Sequence, residues 1–234
     1  MKVYAIIPAR SGSKGFKNKN IQTIDGRPLI SYSISFAHKL GVDKVLCSTD
    51  SEEYKAIAIA EGAEVPFLRG VEASSDTAME QDILVDLNIN FERYNIEKPD
   101  IIVWLRPTFV FRDLDLVQKG IDYLKRSPQL SAVRTVCESE GRLYRIDEGF
   151  LRPDFDDQQK SMIRRQDIGK RYKVFSTDIL RFTAGNLHDD FLGRNVLALE
   201  TNKICGLDID DEIDFKIVKC LVESRLDFLQ QYIH

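Results

Sequence analysis

The chain has 234 residues, of which 43% are hydrophobic and 30% charged, with a formal net charge of −4. That balance is typical of a globular protein with one sizeable core, and it excludes a chain-wide nucleic-acid-binding surface. Any anion site must therefore be local. The opening MKVYAIIPAR holds an apolar run too short for a signal peptide or a membrane span, so a cytoplasmic location is expected. Cys47, Cys137, Cys205 and Cys220 form no C-x-x-C pair and are expected to be reduced, structural thiols.

In chain order, 3–7 reads as a buried strand, and 10–20 as a polar, glycine-containing loop. Pro28 opens a helix whose apolar face is Leu29, Ile30, Ile34, Ala37 and Leu40, and Gly41 ends it. A second strand is expected at 44–47, an acidic helix start at 50–53, and a third strand at 64–68. A long helix is predicted over about 76–94, with Met79, Ile83, Leu87, Phe91 and Tyr94 on one side. DIIVWL at 100–105 is apolar almost throughout, as a central parallel strand requires. A helix near 113–125 and a strand near 132–137 follow. The pattern then breaks into charged, aromatic and turn-forming residues over about 138–173, which reads as an insertion within a single 1–234 domain. A strand at 195–199 and a helix over about 211–229 close the chain.

Alternating β and α segments predict an α/β fold, a Rossmann-like, doubly wound and mostly parallel sheet with helices on both faces. Ligands of such sheets bind beyond the carboxyl ends of the strands. That rule gathers 10–20, 48–50, Arg69 onward and Arg106 onward at one rim.

Pro8-Ala-Arg-Ser-Gly-Ser-Lys-Gly-Phe-Lys-Asn-Lys-Asn20 carries four cationic side chains, two glycines and two serines. Glycines let backbone N–H groups turn toward a ligand, and the cations supply charge-assisted bonds to phosphate oxygens. The loop is therefore expected to take a polyphosphate. It is neither a Walker A loop nor a G-x-G-x-x-G turn. Near the other end, Gly206-Leu-Asp-Ile-Asp-Asp-Glu-Ile-Asp214 holds a D-x-D pair. In extended backbone Asp208 and Asp210 share a side, with Ile209 opposite, which suits a hard cation such as Mg²⁺. Asp211 is assigned to capping the last helix.

P-A-R-x-G-S-K-G-x-x-x-K-N resembles the signature of the N-acylneuraminate cytidylyltransferases, including relatives acting on legionaminic and pseudaminic acids. The likeness follows the order of later segments through nearly the whole chain. It implies a nucleotide-diphospho-sugar transferase fold, a homodimer built partly through the insertion, and CMP transfer from CTP to an acidic nine-carbon sugar. Mg²⁺, or Mn²⁺, is the implied cofactor, on Asp208 and Asp210. CTP-binding roles fall by the resemblance on Arg10, Ser11, Gly12, Ser13, Lys14, Lys19, Asn20, Arg69 and Asp76. Arg10, Lys14 and Lys19 join Asp208 and Asp210 as the catalytic set, and the sequence names no general base.

The departures fall in other segments. Glu80 stands near a family serine that faces the base; it either accepts from the cytosine amino group or is a solvated helix residue. Leu105-Arg-Pro-Thr-Phe-Val-Phe-Arg112 resembles the family's L-Q-P-T-S-P-L-R, with Arg106 in place of glutamine. Arg106 is expected either to grip a substrate carboxylate or to form a structural ion pair, and Thr108 joins the expected sugar-binding set. Arg142 stands where many relatives have a lysine facing the triphosphate or sugar, and Arg165 and Gln166 match an R-Q element near which the partner subunit contributes, so the resemblance adds all three to the expected sugar-binding set. The family's Asn-Gly is here Phe175-Ser176, so the sugar is expected to be a class rather than one compound. Another base, an octulosonic acid, or a non-catalytic nucleotide-binding role are the alternatives.

Overall fold

A computed structural model describes residues 1–12, 15–160, 163–174 and 176–234, with the Arg165 side chain outside that description. The elements in order are β1 (Val3–Pro8), β2 (Thr23–Ile24), β3 (Arg27–Pro28), α1 (Leu29–Leu40), β4 (Lys44–Ser48), α2 (Glu52–Ala60), α3 (Glu80–Arg93) and β5 (Ile101–Leu105). They continue as α4 (Leu114–Arg126), β6 (Ala132–Ser139), β7 (Tyr144–Asp147), β8 (Phe150–Pro153), β9 (Arg171–Lys173), β10 (Thr177–Arg181), α5 (Ala184–His188), β11 (Val196–Glu200), α6 (Glu212–Glu223) and α7 (Asp227–Gln230).

The central sheet runs β11-β6-β10-β5-β1-β4, with β9 attached to β6. Strand β1 pairs in parallel with both β4 and β5, and β11 in parallel with β6. Alternate side chains of the strands feed opposite faces. Ala5 and Ile7 pack with Ile30, Ile34, Val117 and Ile121 from α1 and α4. Tyr4 and Ile6 pack with Ile83, Leu84, Leu87 and Phe91 from α3. Burial of both faces is why these strands are apolar runs rather than alternating ones. The expected doubly wound, mostly parallel sheet is what the chain forms.

Several local expectations are corrected. Residues 64–68 make one parallel bridge, Leu46 to Glu64, and no ladder. Pro66 lacks the N–H that the next rung needs. The third helix starts at Glu80 rather than Asp76, because the Asp82 side chain accepts the Met79 N–H at 2.7 Å and closes the turn there. The last helix breaks after Glu223, with Arg225 at φ 51 between α6 and α7. Most consequential is β10, which has no counterpart among the expected strands: it runs antiparallel between β5 and β6 at the sheet's centre.

Caps fall where short polar side chains precede helices. Ser51, Asp113 and Asp211 accept first-turn N–H groups of α2, α4 and α6. Gly41 takes φ 66 after α1, a left-handed conformation that glycine adopts without strain. In the inserted segment, β7 and β8 form a hairpin whose Glu148 and Gly149 both have positive φ, matching a two-residue turn. Its Ile146, Phe150 and Leu151 are exposed, as is nearby Leu143. Cys47, Cys137 and Cys205 are buried free thiols, and Cys220 is exposed. No helix among the described residues is long and apolar enough to cross a membrane.

Candidate active site

Beyond the carboxyl ends of β1 and β5 lies a cleft of about 250 Å³, with Arg10, Lys19, Asn20, Arg69, Glu80, Arg106 and Thr108 among its lining. The chain leaves β1 at Pro8, and the Ala9 N–H bonds the Ser48 carbonyl of β4 at 2.9 Å. Arg10 Nη1 donates to the Ser75 carbonyl at 2.9 Å and to Asp76 at 3.2 Å. Ser11 donates through its N–H and its hydroxyl to the two Asp50 oxygens, at 2.8 and 3.2 Å. Buried Asn20 donates back to the Arg10 carbonyl at 3.1 Å. Asp50 and Asn20 thus brace the described ends of the loop and hold its backbone at the cleft.

The basic loop and the D-x-D segment meet directly. Lys19 Nζ donates to the Ile209 carbonyl at 2.7 Å and lies 4.0 Å from Asp210 Oδ1. A Cβ on Gly15 would stand 3.0 Å from the Asp210 carbonyl, so the absence of a side chain there permits the approach. Ile209 is wholly buried in a cluster with Ile24, Phe111 and Phe215, and its N–H bonds the Thr108 carbonyl at 3.2 Å. That anchor fixes the backbone from which Asp208 and Asp210 extend on either side of Ile209.

Asp208 hydrogen-bonds the Thr108 side chain, while its Oδ1 is buried with no protein partner. Burial lifts the Asp208 carboxyl above the usual range and Asp210 adds to the rise, against the Thr108 bond, Lys173 and Lys19. The Asp210 side chain is 78% exposed. Among the described residues no third acidic, histidine or cysteine side chain completes a metal cluster with this pair. A divalent cation held here would take its remaining oxygens from a bound ligand or water, the habit of Mg²⁺ at phosphate sites. The orphaned Asp208 Oδ1 fits such an ion. Asp211 keeps to its capping role, its Oδ1 accepting from Ile213 and Asp214 at 2.8 and 2.9 Å.

Arg69 is buried, its Nε donating to Ser48 Oγ at 2.9 Å and its Nη2 to the Ser48 carbonyl. Burial pulls its guanidinium down to about 10, which still leaves it charged at neutral pH. Glu80, the first residue of α3, receives Arg106 at 2.9 Å. On its other side Arg106 Nη1 donates to Asp178 of β10 at 2.9 Å, and Arg134 of β6 contacts the same carboxylate through Nε and Nη2. The structural ion pair expected as one alternative for Arg106 is therefore present.

The structure brings together Arg10, Ser11, Lys19, Asn20, Arg69, Asp76, Glu80, Arg106, Thr108, Asp208 and Asp210 by direct contact or around one cleft. Ser13, Lys14 and Phe175, and the Arg165 side chain, lie outside the described residues. Arg142 is occupied by Glu140, at 2.8 Å, and Gln166 lines a separate concavity with Glu138, Gly141 and Arg171. Neither lies among the residues around the cleft of this chain. The sequence places Asp50 at the rim and at a helix start but gives it no role on the loop, and it gives no sign of Ser75, Asp178, Arg134 and Lys173. Asp178 is visible only once β10 is placed.

An open α/β sheet, with a cationic loop meeting a carboxylate pair at its carboxyl edge, is an arrangement suited to a phosphorylated ligand. The cytidylyltransferase family profile matches residues 4–186, and the chain belongs to that family. An N-acylneuraminate cytidylyltransferase of Escherichia coli is 30% identical over 231 residues, covering 96% of this chain and 53% of the relative. The chain thus spans about half the length of that protein. A pseudaminic acid cytidylyltransferase of Campylobacter jejuni is 29% identical over 225 residues, covering 92% of this chain and 94% of the relative. A CMP:2-keto-3-deoxy-manno-octonic acid synthetase complexed with CTP superposes with a TM-score of 0.71 at 16% identity, covering 97% of this chain and 100% of that one. The last likeness concerns the fold alone.

Proposed function

We propose that the chain transfers CMP from CTP to the anomeric hydroxyl of a nonulosonic acid and releases pyrophosphate. The observation that carries this reading is the junction of Lys19 with the Ile209 carbonyl beside Asp210, which brings the cationic loop against the carboxylate pair. The named substrates of the curated relatives support the choice of cytidine and of an acidic sugar.

In this reading the sugar hydroxyl oxygen attacks the α-phosphorus and gives up its proton to solvent, while the bond to the β-phosphate breaks and pyrophosphate leaves. The work is positioning and charge neutralisation rather than covalent catalysis. Arg10, Lys14 and Lys19 offset triphosphate charge, Ser11, Gly12, Ser13 and Asn20 shape the loop around it, and Arg69 and Asp76 face the nucleoside. Mg²⁺ or Mn²⁺ on Asp208 and Asp210 supplies Lewis-acid neutralisation of the phosphates when bound. Arg106 and Thr108 meet the sugar from the cleft floor. Arg142, Arg165 and Gln166 reach it across a homodimer formed through the inserted hairpin, whose exposed Ile146, Phe150 and Leu151 offer an apolar contact. The reaction is placed in the cytoplasm.

The test is Mg²⁺-dependent pyrophosphate release from CTP against sialic, legionaminic, pseudaminic and octulosonic acids, with UTP, GTP and ATP as controls. Release with CTP and a nine-carbon acid is expected; release with none of the acids would refute the reading. Removing Lys19 as Lys19→Ala should weaken CTP binding by about tenfold or more, since a charge-assisted bond to phosphate is lost. Calorimetric titration with CTP reads the change, and an unaltered affinity would count against the loop's role.

A further inference from the structure

Four charged side chains of alternating sign run from the cleft into the protein: Glu80 and Arg106, which line it, then Asp178 and Arg134. They come from different elements, α3, the turn after β5, β10 and β6, so the row exists only in the folded chain. Exposure rises from Asp178 toward the cleft. The Asp178 side chain is 0% exposed, that of Arg106 12%, and that of Glu80 35%.

This gradient decides which link can open. Separating Arg106 from Asp178 would strand a buried carboxylate, which is strongly unfavourable. Separating Arg106 from Glu80 releases a carboxylate that already faces the cleft and solvent, at small cost. Glu80 also stays within the first turn of α3, where the helix dipole favours a negative charge with or without Arg106. The two links use different parts of the guanidinium. Nη1 is committed to Asp178, whereas Nε and Nη2 both approach Glu80 Oε1, at 3.0 and 2.9 Å. The Nε–Nη2 edge is one that a carboxylate fills bidentately with its two oxygens. Glu80 fills it with one.

We propose that Glu80 is a built-in substitute for the sugar's carboxylate: it holds the Nε–Nη2 edge of Arg106 until an acidic sugar displaces it. The inference rests on the transfer reading above, in which Arg106 faces the sugar. Asp178, itself locked by Arg134, keeps Arg106 in place through the exchange. One carboxylate replaces another, so the guanidinium is paired before and after. A neutral sugar offers nothing to exchange and leaves Glu80 in position. The pair therefore selects for acids by competition, a contact present in the free protein that only the right chemical class can replace.

The experiment compares Glu80→Gln, Arg106→Ala and the double variant with the unaltered protein, reading KM for the acid and for CTP separately. Glu80→Gln should lower KM for the acidic sugar about two- to fivefold, the range set by a part-exposed ion pair, and leave KM for CTP unchanged. The gain should vanish with the sugar's carboxamide analogue and in the Arg106→Ala background. A sugar KM that is unchanged or raised in Glu80→Gln overturns the inference. So does a rise in KM for CTP alone, which would make Glu80 a contact of the base. If the unaltered protein turns over none of the acids, the transfer reading fails first and the inference falls with it.

Discussion

Asp178→Ala is expected to lower stability by about 3–5 kcal/mol, because it leaves the two arginines paired to it without their shared counter-charge in the protein interior. Arg106 and Arg134 have side-chain exposures of only 12% and 18%, so water replaces little of what the carboxylate gave. For a chain of this size that corresponds to a fall in melting temperature of about 10 °C. Asp178→Asn should cost less, since the amide oxygen can still accept from one arginine while the charge is lost. Thermal and urea unfolding read both variants. A change of less than about 0.5 kcal/mol in Asp178→Ala, the size usual for surface positions, would show that the buried pairings are not structural.

That residue also marks where the sequence stopped being readable. Strands β1 and β5 were legible because short, continuous apolar runs bounded by turn residues fit buried parallel strands and little else. The faces of α1 and α3 followed from their helical spacing, with Ile30 and Ile34, and Ile83, Leu87 and Phe91, buried as expected, whereas Met79 and Tyr94, expected on the same face of α3, cap its two ends and are exposed. Strand β10 is Thr-Asp-Ile-Leu-Arg, with two apolar residues between charges, and short segments of that kind carry no decisive period. Ile179 and Leu180 are fully buried on opposite faces only because β5 and β6 flank the strand. Asp178 tolerates burial only because the same pairing delivers Arg134 and Arg106. A strand whose charge is neutralised by distant partners cannot be recognised from its own residues.

The site divides in the same way. Loop residues Arg10, Lys19 and Asn20 could be chosen from the sequence because cations, glycines and a strand end occur together locally. The braces that hold them, Asp50 on Ser11 and the Ser75 carbonyl on Arg10, come from segments 39 and 65 residues away and have no local signature. Lys173 is another such residue, acting on Asp208 from β9 on the far side of the insertion. In general the groups expected to touch the ligand were readable, and those that hold them in place were not.

Asp210→Ala is expected to reduce metal-dependent pyrophosphate release by at least about a thousandfold, the scale of the several kcal/mol that a phosphate-bound cation contributes. Two neighbours supply the controls for that claim. Asp210 is 78% exposed and its side chain meets Lys19 only at long range, so stability should move by no more than about 0.5 kcal/mol. Asp211, one residue on, caps α6 through Ile213 and Asp214, so Asp211→Ala should cost about 1 kcal/mol of stability while leaving turnover near normal. Opposite responses at adjacent aspartates separate a ligand role from a helix-capping role, which a single variant cannot do. Asp208 gives a third response. It is half-buried with an orphaned oxygen, so Asp208→Asn should abolish turnover and, with no charge left to desolvate, hold or raise stability. Turnover is followed by pyrophosphate release at several Mg²⁺ concentrations and stability by thermal unfolding. Full activity in Asp210→Ala at low Mg²⁺ would remove the metal assignment, whereas loss of activity in Asp211→Ala alone would move it by one residue.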